Sequence, residues 1–306
     1  MKIAIFGASS QIARDLIVNL ASNRKDELVL YGRALDVIKS WCQKKIPSAV
    51  YEIQDFVSFD SKTRFDVIIN FVGVGNPVLA KEMGSKIFEI TEEFDAMALS
   101  NLEEYPDTKY IFLSSGAVYG GMFHEPVDES SKAQFDINHL SFTDWYAIAK
   151  FYAEVRHRAL SQYHITDIRV FNYFSASQDL NARFLISDMI RAIKEKSVMV
   201  TSGDNIVRDF IIPEDFYALV CSIIDSPSVN QALDCYTKAP VDKFTLLEQI
   251  SNRYGLEYRI EEKGVAVNAT GIKHKYYSVN HVAGKLGYQP TRTSLEGILE
   301  QVALIA

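Results

Sequence analysis

Residues 2–13 read Lys2-Ile3-Ala4-Ile5-Phe6-Gly7-Ala8-Ser9-Ser10-Gln11-Ile12-Ala13. Four apolar residues followed by a glycine and two serines describe a buried strand, a tight turn and the opening of a helix. The helix runs on over residues 11–21 with Ile12, Leu16, Ile17 and Leu20 on one face, the spacing of an apolar stripe. A turn of this kind lets backbone approach a pyrophosphate and leaves free N–H groups at a helix N-terminus. Of the three glycines of a GxxGxxG fingerprint only Gly7 is present; Ser10 and Ala13, both small, hold the other two places. Ser9 and Ser10 add hydroxyl donors.

Outward from this turn the chain alternates strand-like and helix-like stretches. Strands are predicted at residues 27–31, 50–53, 66–71, 110–114 and 165–171, and helices at 35–42, 88–104 and 145–162. Continuous rather than alternating apolar runs, separated by helices, predict a parallel sheet covered on both faces. Right-handed crossovers then give an α/β fold with a doubly wound parallel-sheet Rossmann domain over residues 1–171. Residues 172–306 read as a smaller mixed α/β region, mainly substrate-binding, with some segments returning to the first sheet. Helices are predicted there at 184–194, 216–224, 245–254, 280–286 and 295–303, and strands at 197–201, 210–212, 233–236 and 258–261, the last followed by a turn-rich stretch. No Pro- or Gly-rich linker divides the two parts, so they are expected to share a cleft.

Composition narrows the function classes. The 306 residues are 48% apolar and 23% charged, an ordinary globular balance able to bury a large core without staples. With 32 basic and 39 acidic residues and a net charge of −7, no general affinity for nucleic acid or anionic membrane is expected. Cys42, Cys221 and Cys235 are odd in number and far apart, which argues against a disulfide framework and a metal site. The first apolar run is too short for a signal-peptide core, and the run from Val67 to Val74 is too short to span a membrane. The expected location is cytoplasmic.

Two further stretches carry chemistry. The second strand ends Leu30-Tyr31-Gly32-Arg33, with an arginine where NAD-binding folds usually place a carboxylate for the ribose; this reads as a 2′-phosphate site and favours NADP(H), with NAD(H) the other choice. Tyr146 and Lys150 stand four residues apart, on one helix face. An ammonium beside a phenol lowers the phenol's pKa, so that it can exchange a proton with an alcohol or keto oxygen while a hydride moves. About thirty residues earlier, Tyr110-Ile111-Phe112-Leu113-Ser114-Ser115-Gly116-Ala117-Val118-Tyr119-Gly120 describes a buried strand ending in two serines, at the sheet edge where doubly wound folds bind ligands.

On these motifs the chain resembles the extended short-chain dehydrogenase/reductase superfamily, in its branch of nucleotide-sugar epimerases, dehydratases and ketoreductases. The resemblance runs over nearly the whole length. It adds Asp55 after the third strand, Phe71-Val72-Gly73 after the fourth, Arg169-Val170-Phe171-Asn172, Gly203-Asp204, Arg208-Asp209-Phe210-Ile211 and Leu286-Gly287-Tyr288-Gln289-Pro290. It implies Tyr146 as acid/base, Lys150 on the nicotinamide ribose and Ser115 on the reacting oxygen. It also implies dinucleotide contacts from Gly7, Ser9, Ser10, Gln11, Ile12, Arg33, Asp55, Phe56, Phe71, Val72, Gly73 and Val170. Asn172 and Arg208 match positions that hold a nucleotide-sugar diphosphate, and a homodimer through the helices at 88–104 and 145–162 is implied.

The departures restrict the reaction. Sugar dehydratases of the family carry Thr-Asp-Glu where this chain has Ser115-Gly116-Ala117. The 3,5-epimerase/reductases need a catalytic cysteine, and no cysteine lies near these motifs. Trp145 is bulky beside Tyr146, residues 91–95 lack the family's asparagine pattern, and His124 and His139 fall in a long insert at 121–143 and read as loop residues. The expected function is NADPH-dependent reduction of a keto group, at C4, on a nucleotide-diphosphate-linked deoxysugar. An NAD-dependent nucleotide-sugar 4-epimerase is the alternative within the family. A catalytically silent NADP sensor or scaffold is the alternative outside it, and the retention of Ser115, Tyr146 and Lys150 argues against that.

Overall fold

The apolar runs of the first half form β1 (Lys2–Phe6), β2 (Glu27–Tyr31), β3 (Tyr51–Gln54), β4 (Val67–Asn70), β5 (Lys109–Ser115) and β6 (His164–Val170). Between them lie α1 (Gln11–Asn23), α2 (Leu35–Lys45), α3 (Lys86–Glu104) and α4 (Phe142–Ala159). The rest of the chain forms β7 (Asn172–Tyr173), β8 (Met199–Ser202), β9 (Val207–Arg208), β10 (Phe210–Ile211), β11 (Gln231–Asp234), β12 (Val241–Asp242), β13 (Tyr258–Glu261) and β14 (Lys275–Tyr276). Its helices are α5 (Leu185–Glu195), α6 (Pro213–Asp225), α7 (Lys243–Tyr254) and α8 (Ser294–Val302). This computed structural model describes residues 1–73, 80, 82–121, 123–261 and 273–306. Val74 and most of the turn-rich stretch expected after residue 261 lie outside the described residues.

The main sheet has seven strands in the order β11-β6-β5-β4-β1-β2-β3, every pair parallel. The fold is a Rossmann-like α/β sandwich. Successive side chains of a strand point to opposite faces, and both faces are buried. Ile3, Ile5, Leu28 and Leu30 pack with Leu16, Ile17 and Leu20 of α1 and Phe216, Leu219 and Val220 of α6. Ala4, Phe6, Val29 and Tyr31 join Ala98 and Leu102 of α3 and Ala153 of α4 on the other face. Strand β11, from the second half of the chain, lies beside β6 as the seventh strand. A separate core of Phe174, Ile186, Ile190, Leu246, Leu247, Ile250, Ile298 and Val302 supports the smaller region.

Local chemistry moved several element ends. Helix α4 begins at Phe142, ahead of the predicted start, because the Asp144 carboxylate reaches back to the Ser141 N–H at 2.9 Å and closes a capping box. The helix expected at 280–286 is a 3-10 turn over Val282–Leu286, ended by Gly287 at φ 88°. Strands β7, β9, β12 and β14 have two residues each and cannot display any periodicity. Among the described residues no helix is long and apolar enough to cross a membrane.

Candidate active site

Sheet order reverses at β1, between β4 and β2, and the loops after these strands meet at their carboxyl ends. Gly7 is held there at φ 76°, with its N–H donating to the Tyr31 carbonyl at 3.0 Å. A Cβ on Gly7 would stand 3.1 Å from the backbone of Phe71 and Val72, so both the conformation and the close approach of the β4 loop demand glycine. Ser10 caps α1 by accepting the Ala13 N–H at 3.3 Å, leaving Ser9 exposed at the turn. The Gln11 side chain donates to Ser175 at 2.9 Å, tying the turn to the segment after β7, and Ile12 is partly buried against the sheet core. This cradle of small residues, closed tightly around its own backbone, fits a dinucleotide pyrophosphate.

Around it, Arg33 is exposed just past β2, and among the described residues it has no ion-pair partner. Asp55 is occupied locally: the Ser58 hydroxyl and N–H donate to it at 2.6 and 2.8 Å, which holds its carboxyl below the usual range. Phe56 belongs to an aromatic group with Phe6, Tyr31 and Phe94. Phe71 is buried, the Val72 N–H donates to Asn70 at 2.9 Å, and Val170 lies in the sheet core. Gly73 approaches the second half of the site, since a Cβ there would stand 3.2 Å from Lys150 Nζ.

Strand β5 delivers Ser115 and α4 delivers Tyr146 and Lys150 to the same edge. Ser115 Oγ accepts the Ala117 N–H at 3.1 Å and lies near the Tyr146 phenol. Burial raises the Tyr146 pKa and Ser115 lowers it. Lys150, one turn along α4, is buried; its Nζ donates to the Leu113 carbonyl at 2.8 Å and sits 4.2 Å from the Phe112 ring centroid. Burial pulls its pKa down to about 8, against the pull of Asp95, Asp167 and Glu154. A phenol, a hydroxyl and a desolvated amine thus lie at one end of the sheet, with the amine beside Gly73. This group can exchange a proton with an alcohol or keto oxygen.

Across the cleft, Arg208 Nη1 donates to the carbonyls of Val207 and His274, at 2.8 and 3.3 Å. Among the described residues no carboxylate pairs with it. Neighbouring Asp209 is held instead by the Thr237 N–H and the hydroxyls of Thr237 and Ser294. Asn172 Nδ2 donates to the Asp209 and Tyr276 carbonyls, at 3.2 and 3.4 Å, bracing β7 against the strands that carry Arg208.

Residues 3–235 match the profile of the NAD dependent epimerase/dehydratase family. The chain belongs to that family. It is an NAD(P)-dependent enzyme of the extended short-chain dehydrogenase/reductase type. No curated protein sequence matches it. Solved structures with the same fold include UDP-glucose 4-epimerase from Thermotoga maritima, at 17% identity and TM-score 0.77, covering 99% of this chain and 98% of that one. UDP-glucuronic acid 4-epimerase from Bacillus cereus has 16% identity and TM-score 0.78, covering 100% and 99%. dTDP-glucose 4,6-dehydratase from Bacillus anthracis has 16% identity and TM-score 0.77, covering 99% and 96%.

Sequence reading passed over three residues of this family member. Lys273 lies with its Nζ 4.4 Å from the Tyr276 ring centroid, and burial together with Arg208 lowers its pKa to about 8. Tyr276 places its hydroxyl 3.4 Å from Ser115 Oγ. His157, near the C-terminal end of α4, is wholly buried between Asp95 and Asp167, at 2.7 and 2.6 Å. Lys273 and Tyr276 gave no signal because they follow an irregular stretch, whereas His157 stood in an apolar helix face that could have raised the question. Of the two insert histidines, His139 is exposed beside Asp136 and His124 stacks on His274, 5.8 Å between centroids.

Proposed function

We propose that this enzyme uses NADPH to reduce a keto group, at C4, on a nucleotide-diphosphate-linked deoxysugar. The observation that carries the reading is that Ser115, Tyr146 and Lys150 lie at one end of the sheet, with Arg33 exposed past β2 and without an ion-pair partner among the described residues. When bound, the dinucleotide supplies the hydride. Gly7, Ser9, Ser10, Gln11 and Ile12 hold its pyrophosphate, Arg33 its 2′-phosphate, and Asp55, Phe56, Phe71, Val72, Gly73 and Val170 its remaining surface. Lys150 holds the nicotinamide ribose. Ser115 donates to the keto oxygen, and Tyr146 delivers the proton that completes the alcohol.

Arg208 and Lys273 support an anionic substrate. Two half-buried cations beside the same Tyr276 ring repel, and a diphosphate would neutralise both; a guanidinium fork also suits phosphate geometry. Asn172 braces that subsite. The enzyme assembles, in this reading, as a homodimer through α3 and α4, whose surface leaves Tyr152 and Val155 about half exposed; a monomer in light scattering would remove this part.

A nucleotide-sugar 4-epimerase using NAD is the second reading. It is favoured by the neighbours in complex with NAD and UDP-glucuronic acid, and the same Ser115, Tyr146 and Lys150 would serve it. Purified protein separates the two: an empty site that binds NADPH supports the reductase, and tightly retained NAD supports the epimerase. Either reading requires Tyr146→Phe to lose about 10²–10⁴-fold in turnover, the usual contribution of a general acid, with dinucleotide affinity kept. Activity within tenfold of the unaltered enzyme would refute both.

A further inference from the structure

A serine hydroxyl has one proton to give and two lone pairs to fill. At Ser115 one lone pair is taken by the Ala117 N–H, at 3.1 Å. The Tyr146 phenol lies near it on the catalytic side. The remaining neighbour is the Tyr276 hydroxyl at 3.4 Å, brought from β14 at the far end of the chain. That separation is long for an O–H···O bond, as contacts at catalytic centres often are before substrate draws the groups together.

The surroundings of Tyr276 make it a donor. Its ring is boxed by Phe123 and Phe171, with centroids 4.7 and 5.2 Å away. Lys273 Nζ and the Arg208 guanidinium lie 4.4 and 5.8 Å from its centroid. Burial raises its pKa far above the ordinary phenol value, so the hydroxyl keeps its proton. The two cations polarise the ring and sharpen the O–H as a donor. A phenylalanine would fill the same aromatic box, so packing alone does not call for the hydroxyl.

We infer that Tyr276 is a positioning residue: its hydroxyl donates to the second lone pair of Ser115 and thereby turns the Ser115 proton toward Tyr146 and the reacting oxygen. With both lone pairs filled, Ser115 can act only as a donor. Before substrate binds, that one proton is directed to the Tyr146 oxygen and stabilises its phenolate; with substrate bound, the same proton goes to the keto oxygen. Without Tyr276 the serine hydroxyl rotates, and its proton is shared among other orientations.

The inference rests on Tyr146 as the acid/base, and its test needs no turnover. The Tyr146 phenol is titrated in the full-length protein with saturating NAD+, by NMR of tyrosine labelled at Cζ, its signal assigned by loss in Tyr146→Phe. Tyr276→Phe is expected to raise the Tyr146 pKa by about half a unit, because the phenolate loses part of a hydrogen bond. Ser115→Ala should raise it at least as far, and adding Tyr276→Phe to Ser115→Ala should change nothing more. An unmoved pKa in Tyr276→Phe, or a shift that persists when Ser115 is absent, overturns the inference. Failure to turn over any nucleotide sugar would instead overturn the functional reading and leave this titration standing.

Discussion

The ring of Phe171 occupies the space into which any side chain at residue 116 would project: a Cβ built on Gly116 would stand 2.4 Å from two of its carbons. Phe171 is itself held, stacking on Tyr119 at 6.3 Å and meeting Phe123 and Tyr276. The position where family dehydratases carry an aspartate is therefore closed, beyond merely lacking the acid. Gly116→Asp is expected to destabilise the protein by about 1–3 kcal/mol, the scale of an overpacked site. It should yield no loss of water from a nucleotide hexose. A stable variant with measurable dehydration would show that Phe171 yields.

Among the described residues Arg33 has no ion-pair partner that would make it structural. Arg33→Ala should weaken NADPH binding by about 1.5–3 kcal/mol, as for a charge-assisted hydrogen bond, and leave NADH nearly unaffected. Fluorescence titration with each cofactor measures the difference. Equal losses for both would assign Arg33 to general attraction and move the balance toward NAD.

Arg208 is half-buried, no carboxylate pairs with it among the described residues, and burial lowers its pKa to about 10. A cation in that state costs stability until an anion arrives. Arg208→Ala should therefore raise KM for a nucleotide sugar strongly, by about 2–4 kcal/mol in binding if the contact is bidentate. It should reduce kcat much less, and leave Tm unchanged or higher. A lowered Tm with KM unchanged would show instead that its bonds to Val207 and His274 brace β9.

His157 sets a pH dependence. Burial works against its charge, but Asp167 and Asp95 outweigh burial and raise its pKa from 6.5 to about 9. A raised folded-state pKa means that protonation favours the folded form. The contribution is full below about pH 6.5 and is lost as pH rises through about 9. Its size is on the order of 3 kcal/mol. Buried Lys150, with its lowered pKa, acts in the opposite sense at higher pH, so the informative quantity is a difference. Urea unfolding of the unaltered protein and His157→Gln should give a gap that narrows from neutral to alkaline pH. A gap independent of pH would mean that His157 is neutral.

The reach of the sequence can be judged from particular residues. Gly7, the strand before it and the stripe Leu16, Ile17 and Leu20 were readable because each is a local pattern: the turn needs a positive φ, and burial imposes helical spacing. Tyr146 and Lys150 were readable for the same reason, as one turn of helix fixes their relation. Arg33 was legible as a residue past a strand, but only the folded chain left it without an ion-pair partner among the described residues. Tyr276, Lys273 and the Phe171–Gly116 contact could not be read. Ser115 and Tyr276 are separated by 161 positions, and nothing in local spacing records a contact made by two-residue strands. The local chain thus determined the elements and the one-turn spacing of Tyr146 and Lys150. Which groups surround that pair, which cations stay unpaired and which side chains have room were decided by tertiary packing, because those depend on what the second half of the chain brings across the cleft.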